Sequence, residues 1–398
     1  MLYILVDDIV KARFFSCFQQ ADNIIYLTNK LSCFLFLRKK TTKRVILLTG
    51  SPKQESDAIV DRDRLSKTIS VLNGRQTLED AIQNYTLMRS SLFFKLGNTI
   101  GYNDTLIVFN GNHASAISTT DFFNSKGAKT LYAEISNLPD KMVFDPKGVN
   151  AQSILYSNPE VLDSLEQVPD AQHEAWVRDY ILYKENPIPQ SKINISTYFL
   201  LAVDDIFTRI FKRIIKEDSL SFLYKVRMFR SKFKSRKILS SADHADLNQP
   251  YVFFPTQVTS DTQLKINSDI DNLQAISIIL EREKDIDIYV KIHPAESNID
   301  TINYFLELEK KNRIKIVSNN TIALIKHAKR IYTVNSTVGL EALIFEKELT
   351  VLGRAIYSSF DKNRLRLYIH RYLMDLNYFG DNILTERHFD KLTKLSEL

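Results

Sequence analysis

The chain has 398 residues, of which 44% are hydrophobic and 25% are charged, and its formal net charge is +6. This composition is typical of a globular protein long enough for two hydrophobic cores, and it excludes a fibrous or disordered chain. Cys17 and Cys33 are the two cysteines. Neither lies in a C-x-x-C motif or a Cys/His cluster, so a disulfide framework and a structural zinc site are not expected.

The N-terminus begins with the apolar run LYILV, which two aspartates follow directly. This pattern predicts a first β-strand rather than a signal peptide. No segment reaches the roughly 18 apolar residues that a membrane-spanning helix needs. The two isolated cysteines favour a reducing compartment, so we expect a cytoplasmic protein.

Short apolar runs rich in β-branched residues alternate with helical patterns in both halves of the chain. The first half has predicted strands at 2–6, 23–27, 44–48, 105–109 and 130–134, with a crossover helix that ends at Gly127. The second half has predicted strands at 251–255, 287–293, 314–318, 330–334 and 349–353, separated by helices at about 267–284, 300–312, 320–328 and 337–346. Alternating strands and helices predict two parallel α/β units, and hence a two-lobed protein with a cleft.

A basic segment separates the two units. Between Arg209 and Lys237, Lys and Arg far outnumber the acidic Glu217 and Asp218, and aromatic residues are interleaved with them. Such a segment fits an anionic membrane surface, and it fits a solvated helical linker equally well, because periodicity does not separate the two. Nucleic-acid binding is not expected, since no helix-turn-helix, zinc-finger or RNP-like pattern accompanies the charge. We place the first lobe at 1–200, the linker at 201–245, the second lobe at 246–360 and strand-free C-terminal helices at 361–398.

Polar residues follow three strands of the second unit, at the sheet edge where open α/β sheets bind ligands. They are Gln257, Asp261 and Gln263; Lys291 and His293; and Asn335, Ser336, Thr337 and Glu341. Each has an ordinary interpretation: Ser336 as a helix N-cap, Asp261 as a solvated loop residue, His293 as a structural or exposed histidine. Ser336 and Thr337 also fit a phosphate at a helix N-terminus. Glu341 lies on an apolar helix and would be costly to bury without a partner such as a ribose diol. Their convergence predicts one pocket.

The first unit offers a smaller set of polar residues. Asn112 and His113 follow one predicted strand, and Glu134 and Asn137 follow the next in an E-x-x-N-x-P loop. This loop fits either binding of sugar hydroxyls or a turn held by Asn and Pro. The pairs Asp7–Asp8 and Asp204–Asp205 are interpreted as structural or solvated. No D-x-D-like pair follows a strand in the cleft region, so no metal is expected.

The ordered motifs N-G-N-H-A, Y-A-E-I-S-N-L-P-D-K, P-T-Q-V-T-S-D-T-Q, K-I-H-P and V-N-S-T-V-G-L-E-A-L resemble those of capsular polysaccharide biosynthesis proteins that act as retaining β-Kdo transferases. The resemblance covers roughly 105–155 and 250–357. It implies a GT-B-like α/β fold with two Rossmann-like lobes, CMP-Kdo as the donor, and a sugar acceptor belonging to a bacterial surface polysaccharide, free or lipid-linked. No further cofactor is implied.

The same resemblance assigns roles to the candidate residues. Asp261, at the end of a Q-x-x-x-D motif that starts at Gln257, matches the nucleophile of a double displacement. His293 matches a histidine of the donor site, and the segment with Ser336, Thr337 and Glu341 matches a CMP-binding segment. Glu134 and Asn137 match the acceptor side, and Glu134 is a hypothetical base. Other CMP-releasing enzymes share single motifs, so an inverting sialyltransferase and a glycerol-phosphate transferase stay open, as does a non-catalytic glycan-binding scaffold held at the inner face of the plasma membrane.

Overall fold

The structure is a computed structural model that describes residues 1–49, 60–185 and 243–398, together with Asp204, Ile215 and Glu217. These residues form two compact units. Unit 1 contains the described residues of 1–149 and 372–398 with the three isolated residues, and unit 2 contains those of 150–185 and 243–371. The units therefore differ from the predicted ranges. Residues 150–185 belong to the second unit, and the C-terminal segment from Tyr372 returns to the first.

The described residues contain two sets of strands and helices. The strands are β1 (Leu2–Leu5), β2 (Ile24–Thr28), β3 (Arg44–Leu47), β4 (Thr105–Phe109), β5 (Lys129–Ile135), β6 (Lys141–Asp145), β7 (Tyr251–Pro255), β8 (Asp287–Lys291), β9 (Lys315–Ile316), β10 (Arg330–Thr333), β11 (Glu348–Val351) and β12 (Met374–Asp375). The α-helices are α1 (Ile9–Phe15), α2 (Leu31–Lys40), α3 (Arg62–Ser66), α4 (Ile69–Leu72), α5 (Leu78–Leu96), α6 (Ala114–Asn124), α7 (Ile154–Ser157), α8 (Asp170–Glu185), α9 (Thr262–Ile266), α10 (Asn272–Arg282), α11 (Ile299–Lys310), α12 (Thr321–His327), α13 (Thr337–Ile344), α14 (Lys362–Leu367) and α15 (Glu386–Leu395).

Unit 1 is built on a seven-stranded sheet of order β12-β6-β5-β4-β1-β2-β3. The strands β3, β2, β1, β4 and β5 are parallel neighbours, whereas β6 and β12 are antiparallel additions at one edge. The strand β12 corrects the prediction that the C-terminal segment contains no strand. It has two residues, too few for a recognisable β pattern, and Lys141 of β6 forms an ion pair with Asp375 beside it.

Unit 2 is built on a five-stranded parallel sheet of order β11-β10-β7-β8-β9. One face of this sheet packs Val252, Phe254, Ile288 and Val290 against residues of α10 such as Ile276, and the other face buries residues such as Phe253. Strand order reverses between β7 and β10 here, and between β1 and β4 in unit 1, which is the arrangement of a Rossmann-like sheet. The predicted α/β class with two Rossmann-like units is confirmed.

Helix starts in unit 2 follow from their capping residues. Asp271 forms a capping box with Gln274 at the start of α10, and Asn298 caps α11 through the backbone amides of Asp300 and Thr301. Such caps satisfy the first unpaired N–H groups of a helix. They fix the points at which the chain turns from the end of a strand into a helix, and hence the positions of the strand-end loops.

Among the described residues, no helix combines the length and apolar character required to cross a membrane. Nor do these residues include a group of three or more His, Cys, Asp or Glu side chains placed to hold a metal ion. Cys33 is buried, and Cys17 is partly buried.

Candidate functional site

The reversal point of the unit 2 sheet lies between the loops that follow β7 and β10, and two buried amide side chains join these loops. Gln257 donates from Nε2 to Oδ1 of Asn335 at 2.9 Å, and its Oε1 accepts from the Asn335 backbone N–H at 3.2 Å. Asn335 Nδ2 donates to the carbonyl oxygens of Gln263 and Asn267 at 2.8 and 3.0 Å. Gln257 and Asn335 thus hold the two loops together.

Asp261 lies in the loop after β7 as the N-cap of α9. Its Oδ1 accepts from the backbone N–H of Gln263 at 2.9 Å, while Oδ2 accepts no hydrogen bond from the part of the chain that the structure describes. The side chain is partly exposed. Oδ1 therefore caps the helix, and Oδ2 is not engaged by the described residues.

His293 follows β8 and is held by one hydrogen bond to its backbone and one to its ring. Its N–H donates to Oγ1 of Thr256 at 3.1 Å, and its Nδ1 accepts from the N–H of Ala295 at 3.0 Å. Because an amide N–H only donates, the neutral imidazole carries its proton on Nε2. Loss of solvent around the ring lowers the pKa of His293, and the carboxylates of Asp261 and Glu296 oppose this shift. Asp261 and His293 are thus electrostatic neighbours.

Lys291, the last residue of β8, is engaged by the protein itself. Its Nζ donates to the carbonyl oxygen of Asn319 at 2.7 Å and to Oγ1 of Thr321 at 2.9 Å. Burial lowers the pKa of this ammonium group. Lys291 therefore ties β8 to the loop after β9, and a direct contact with a donor remains a prediction.

The loop after β10 enters α13 through Ser336, which is the N-cap. Its Oγ accepts from the N–H of Val338 at 3.2 Å, and its carbonyl oxygen accepts from the hydroxyl of Tyr357. A Cβ at Gly339 would lie 2.6 Å from Cε2 of Tyr357, so glycine is required for the ring to approach the helix. The ordinary N-cap interpretation of Ser336 is confirmed. No motif in the sequence pointed to Tyr357, which lies 21 residues after Ser336.

Glu341 is buried, with 3% of its surface exposed. Its Oε1 accepts from the hydroxyl of Tyr180 at 2.8 Å and lies 2.6 Å from Nζ of Lys184. Both partners lie on α8, which the sequence placed in the other lobe. The cost of burying this carboxylate is thus offset by the protein itself, so burial alone does not argue for a ribose diol.

The reversal point of unit 1 gathers a second set of charged residues. Asp7 follows β1 and forms an ion pair with Lys11 at 2.7 Å. Burial favours the neutral carboxyl, but Lys11 and His113 outweigh it and lower the pKa of Asp7. Burial raises the pKa of Tyr378, and the nearby charges of Asp7 and Glu134 raise it further. The interpretation of Asp7 as a structural residue agrees with its ion pair with Lys11, and the charge of His113 acts on the same carboxylate.

The other predicted residues of unit 1 differ in their surroundings. Asn112 is buried, and its N–H donates to Oδ1 of Asn110 at 3.3 Å. Glu134 is partly buried on β5, and its Oε1 accepts from the N–H of Ile135 at 2.9 Å. Asn137 is exposed in the loop that follows. These positions leave the predicted acceptor role of the set untested.

Two carboxylates cap helices of unit 1 from distant positions in the chain. Asp204 accepts from the backbone N–H of Ser32 at 2.9 Å at the start of α2. Glu217 is buried and accepts from the backbone N–H of Ser115 at 2.7 Å at the start of α6. Burial raises the pKa of Glu217. The structural interpretation of Asp204 agrees with this contact.

Comparison with known proteins places these features in a family. A family described as capsule polysaccharide biosynthesis proteins matches residues 111–360, a range that includes the loops after β4, β7, β8 and β10. The chain belongs to this family. The predicted family is confirmed, and the matched range covers most of unit 2.

Individual relatives are more distant. The chain is 25% identical over 278 residues to the capsule polysaccharide export protein KpsS of Escherichia coli, which covers 64% of this chain and 68% of that protein. It is 32% identical over 119 residues to the protein FixF of Sinorhizobium fredii, covering 28% and 29% of the two chains. Among solved structures, the β-Kdo 2,7 transferase KpsC of Thermosulfurimonas dismutans matches with a TM-score of 0.43 and 15% identity over 99% of both chains.

Proposed function

We propose that this member of the capsule family is a retaining β-Kdo glycosyltransferase that moves Kdo from CMP-Kdo to a sugar acceptor. Family membership supports a role in capsule synthesis. The observation that carries the proposal is the meeting of three strand-end loops in unit 2. There Asp261, with one available carboxylate oxygen, is an electrostatic neighbour of His293. Open α/β sheets bind ligands at such a point.

The proposed reaction has two displacements at the anomeric carbon of Kdo. In the first, an oxygen of Asp261 forms a bond to this carbon while the bond to the CMP phosphate oxygen breaks and CMP leaves with the electron pair. In the second, the acceptor hydroxyl attacks the same carbon, loses its proton to a base and releases the Asp261 carboxylate. Two inversions retain the configuration. We assign the base to Glu134.

The other residues of unit 2 act on the leaving group or hold the loops. The negative charge that develops on the CMP phosphate is stabilised by the Nε2–H of His293 and by the start of α13 at Ser336 and Thr337. We assign contacts with the rest of the donor to Gln263 and to the second carboxylate oxygen of Glu341. In this proposal Gln257, Lys291 and Asn335 act through the loops that they join.

The acceptor is proposed to be a glycan or lipid-linked glycan. Asn112, His113 and Asn137 of unit 1 would supply hydrogen-bonding groups for its hydroxyls.

The basic segment 209–237, which lies outside the described residues except for Ile215 and Glu217, would bring the enzyme to the cytoplasmic face of an anionic membrane. Binding to anionic vesicles that weakens as salt rises would support this location, and equal binding to neutral vesicles would contradict it.

The donor is tested by release of CMP on addition of CMP-Kdo, CMP-sialic acid and CDP-glycerol in turn. The proposal predicts CMP release from CMP-Kdo alone. Release from CMP-sialic acid or CDP-glycerol would instead support one of the other transferases. A scaffold without a nucleotide site would show no release and no rise in Tm with millimolar CMP.

A further inference from the structure

Glu296 is a buried carboxylate in the loop after β8, three residues beyond His293, and its exposed fraction is 1%. Its Oε2 accepts from both the N–H and the Oγ1–H of Thr259 at 2.8 Å. Its Oε1 accepts from the N–H groups of Ser297 and Asn298, each at 2.7 Å. Both oxygens are thus satisfied by the protein.

These bonds join two loops that carry proposed reacting groups. Thr259 lies two residues before Asp261, and the backbone N–H of Glu296 donates to the carbonyl oxygen of His293 at 2.9 Å. Thr259 Oγ1 also lies 3.2 Å from Oγ1 of Thr301 on α11. One carboxylate therefore connects the loop after β7, the loop after β8 and a helix.

We propose that Glu296 is a positioning residue that holds Asp261 and His293 in their relative placement, an inference that rests on the proposed transferase function. Charge-assisted hydrogen bonds are shorter and stronger than neutral ones, so a carboxylate with four donors is a rigid junction. Misplacement of a reacting group by about 1 Å can cost ~100-fold in rate.

The charge of Glu296 also acts on the imidazole. Loss of solvent lowers the pKa of His293, and two carboxylates raise it: Asp261, from the loop after β7, and Glu296, from the same loop as His293. Removing either charge lowers the pKa of His293 further. The pKa of His293 can therefore be measured as a readout that does not depend on catalytic turnover.

The variant Glu296→Gln keeps the size of the side chain but replaces one acceptor oxygen with an NH₂ donor. Whichever way the amide turns, its NH₂ faces at least one backbone N–H that has lost its acceptor, that of Thr259 on one side or those of Ser297 and Asn298 on the other, while the Thr259 hydroxyl can turn to accept. If the NH₂ faces Thr259, the loop of Asp261 is released. If it faces Ser297 and Asn298, the loop of His293 is released.

Glu309→Gln is the matched control. Glu309 lies on α11 in the same unit, and its Oε1 accepts from the backbone N–H of Ile316 at 2.7 Å. It makes a similar contact away from the loops after β7 and β8. A second pair of variants, Thr259→Val and Thr259→Ser, removes or keeps the hydroxyl that donates to Glu296.

The experiment first measures amide hydrogen exchange and the NMR titration of His293, both without substrate. In Glu296→Gln we expect faster exchange at 257–263 and 293–298 and a lower pKa of His293, with no change in Glu309→Gln. We then expect kcat to fall about 100-fold, and Thr259→Ser to retain activity that Thr259→Val loses.

Unchanged loop exchange and an unchanged His293 pKa in Glu296→Gln would overturn the inference. If the wild type releases no CMP from CMP-Kdo, the proposed function fails, whereas the exchange and titration still decide whether Glu296 couples the loops.

Discussion

Replacement of Asn335 by alanine tests whether the junction between the loops after β7 and β10 stabilises unit 2. The change removes three side-chain hydrogen bonds, two donated by Nδ2 and one accepted by Oδ1. It leaves the buried Gln257 amide and the carbonyl oxygens of Gln263 and Asn267 without these partners. At about 1 kcal/mol net for each bond, we expect a loss of ~3 kcal/mol in the free energy of unfolding.

Trp176 is the single tryptophan of the chain and lies on α8 in unit 2, stacked on Tyr180 at 5.1 Å. Its fluorescence during urea unfolding therefore reports on this unit. The control is Asn248→Ala, at an exposed residue of the same unit whose Nδ2 donates to Oδ1 of Asp246 at 3.0 Å. Water replaces that bond, so we expect a change within about 0.5 kcal/mol. A loss for Asn335→Ala no larger than that of the control would show that the junction between these loops does not stabilise unit 2.

Three further predictions concern packing, protonation and thiol reactivity. Gly339→Ala places a Cβ against the ring of Tyr357 and should lower the free energy of unfolding in urea by about 1–3 kcal/mol. In Gly101→Ala a Cβ would meet no atom within 4 Å, so the loss should be smaller. Burial lowers the pKa of His173, so the folded state binds fewer protons than the unfolded state. The contribution of His173 to the free energy of unfolding should therefore be complete above pH ~6.5, the pKa of an unfolded histidine, and should be lost as the pH falls below it. The free energy of unfolding should decline less steeply with falling pH in His173→Gln, and equal slopes in the two proteins would contradict this. Burial raises the pKa of Cys17 to about 12 and that of Cys33 higher still, so a thiol reagent at pH 8 should label neither until urea is added.

Much of the fold could be predicted because its strands are short apolar runs bounded by polar residues. The strands β4 and β7 have the predicted bounds, and the helices α10 to α13 fall within the predicted ranges to within a few residues. The strand β6 was missed because KMVFD follows a tight turn in which Asp140 has a φ of 56°. The assignment of α8 to unit 2 was missed because long-range contacts such as Tyr180 with Glu341 leave no local pattern.

The candidate site was predictable in its location but not in its contacts. Periodicity and strand ends indicated the loops that carry Asp261, His293 and Ser336. Sequence does not show which polar groups satisfy one another, so Gln257 and Asn335 were expected to face the donor although they face each other. Glu296 was missed because an acidic residue in a loop has no distinguishing mark until Thr259 is brought to it by the fold.

The proposed mechanism depends on a covalent bond between Asp261 and the transferred sugar, and intact-protein mass spectrometry after mixing with CMP-Kdo can detect this bond. Asp261→Asn keeps the oxygen that caps α9 but is a poor nucleophile, and Asp271→Asn changes another N-cap of the same unit. We predict a mass increase of one Kdo residue, mapped to the peptide with Asp261, in the wild type and in Asp271→Asn but not in Asp261→Asn. CMP release at the wild-type rate by Asp261→Asn, with no adduct on any variant, would rule out Asp261 as the nucleophile.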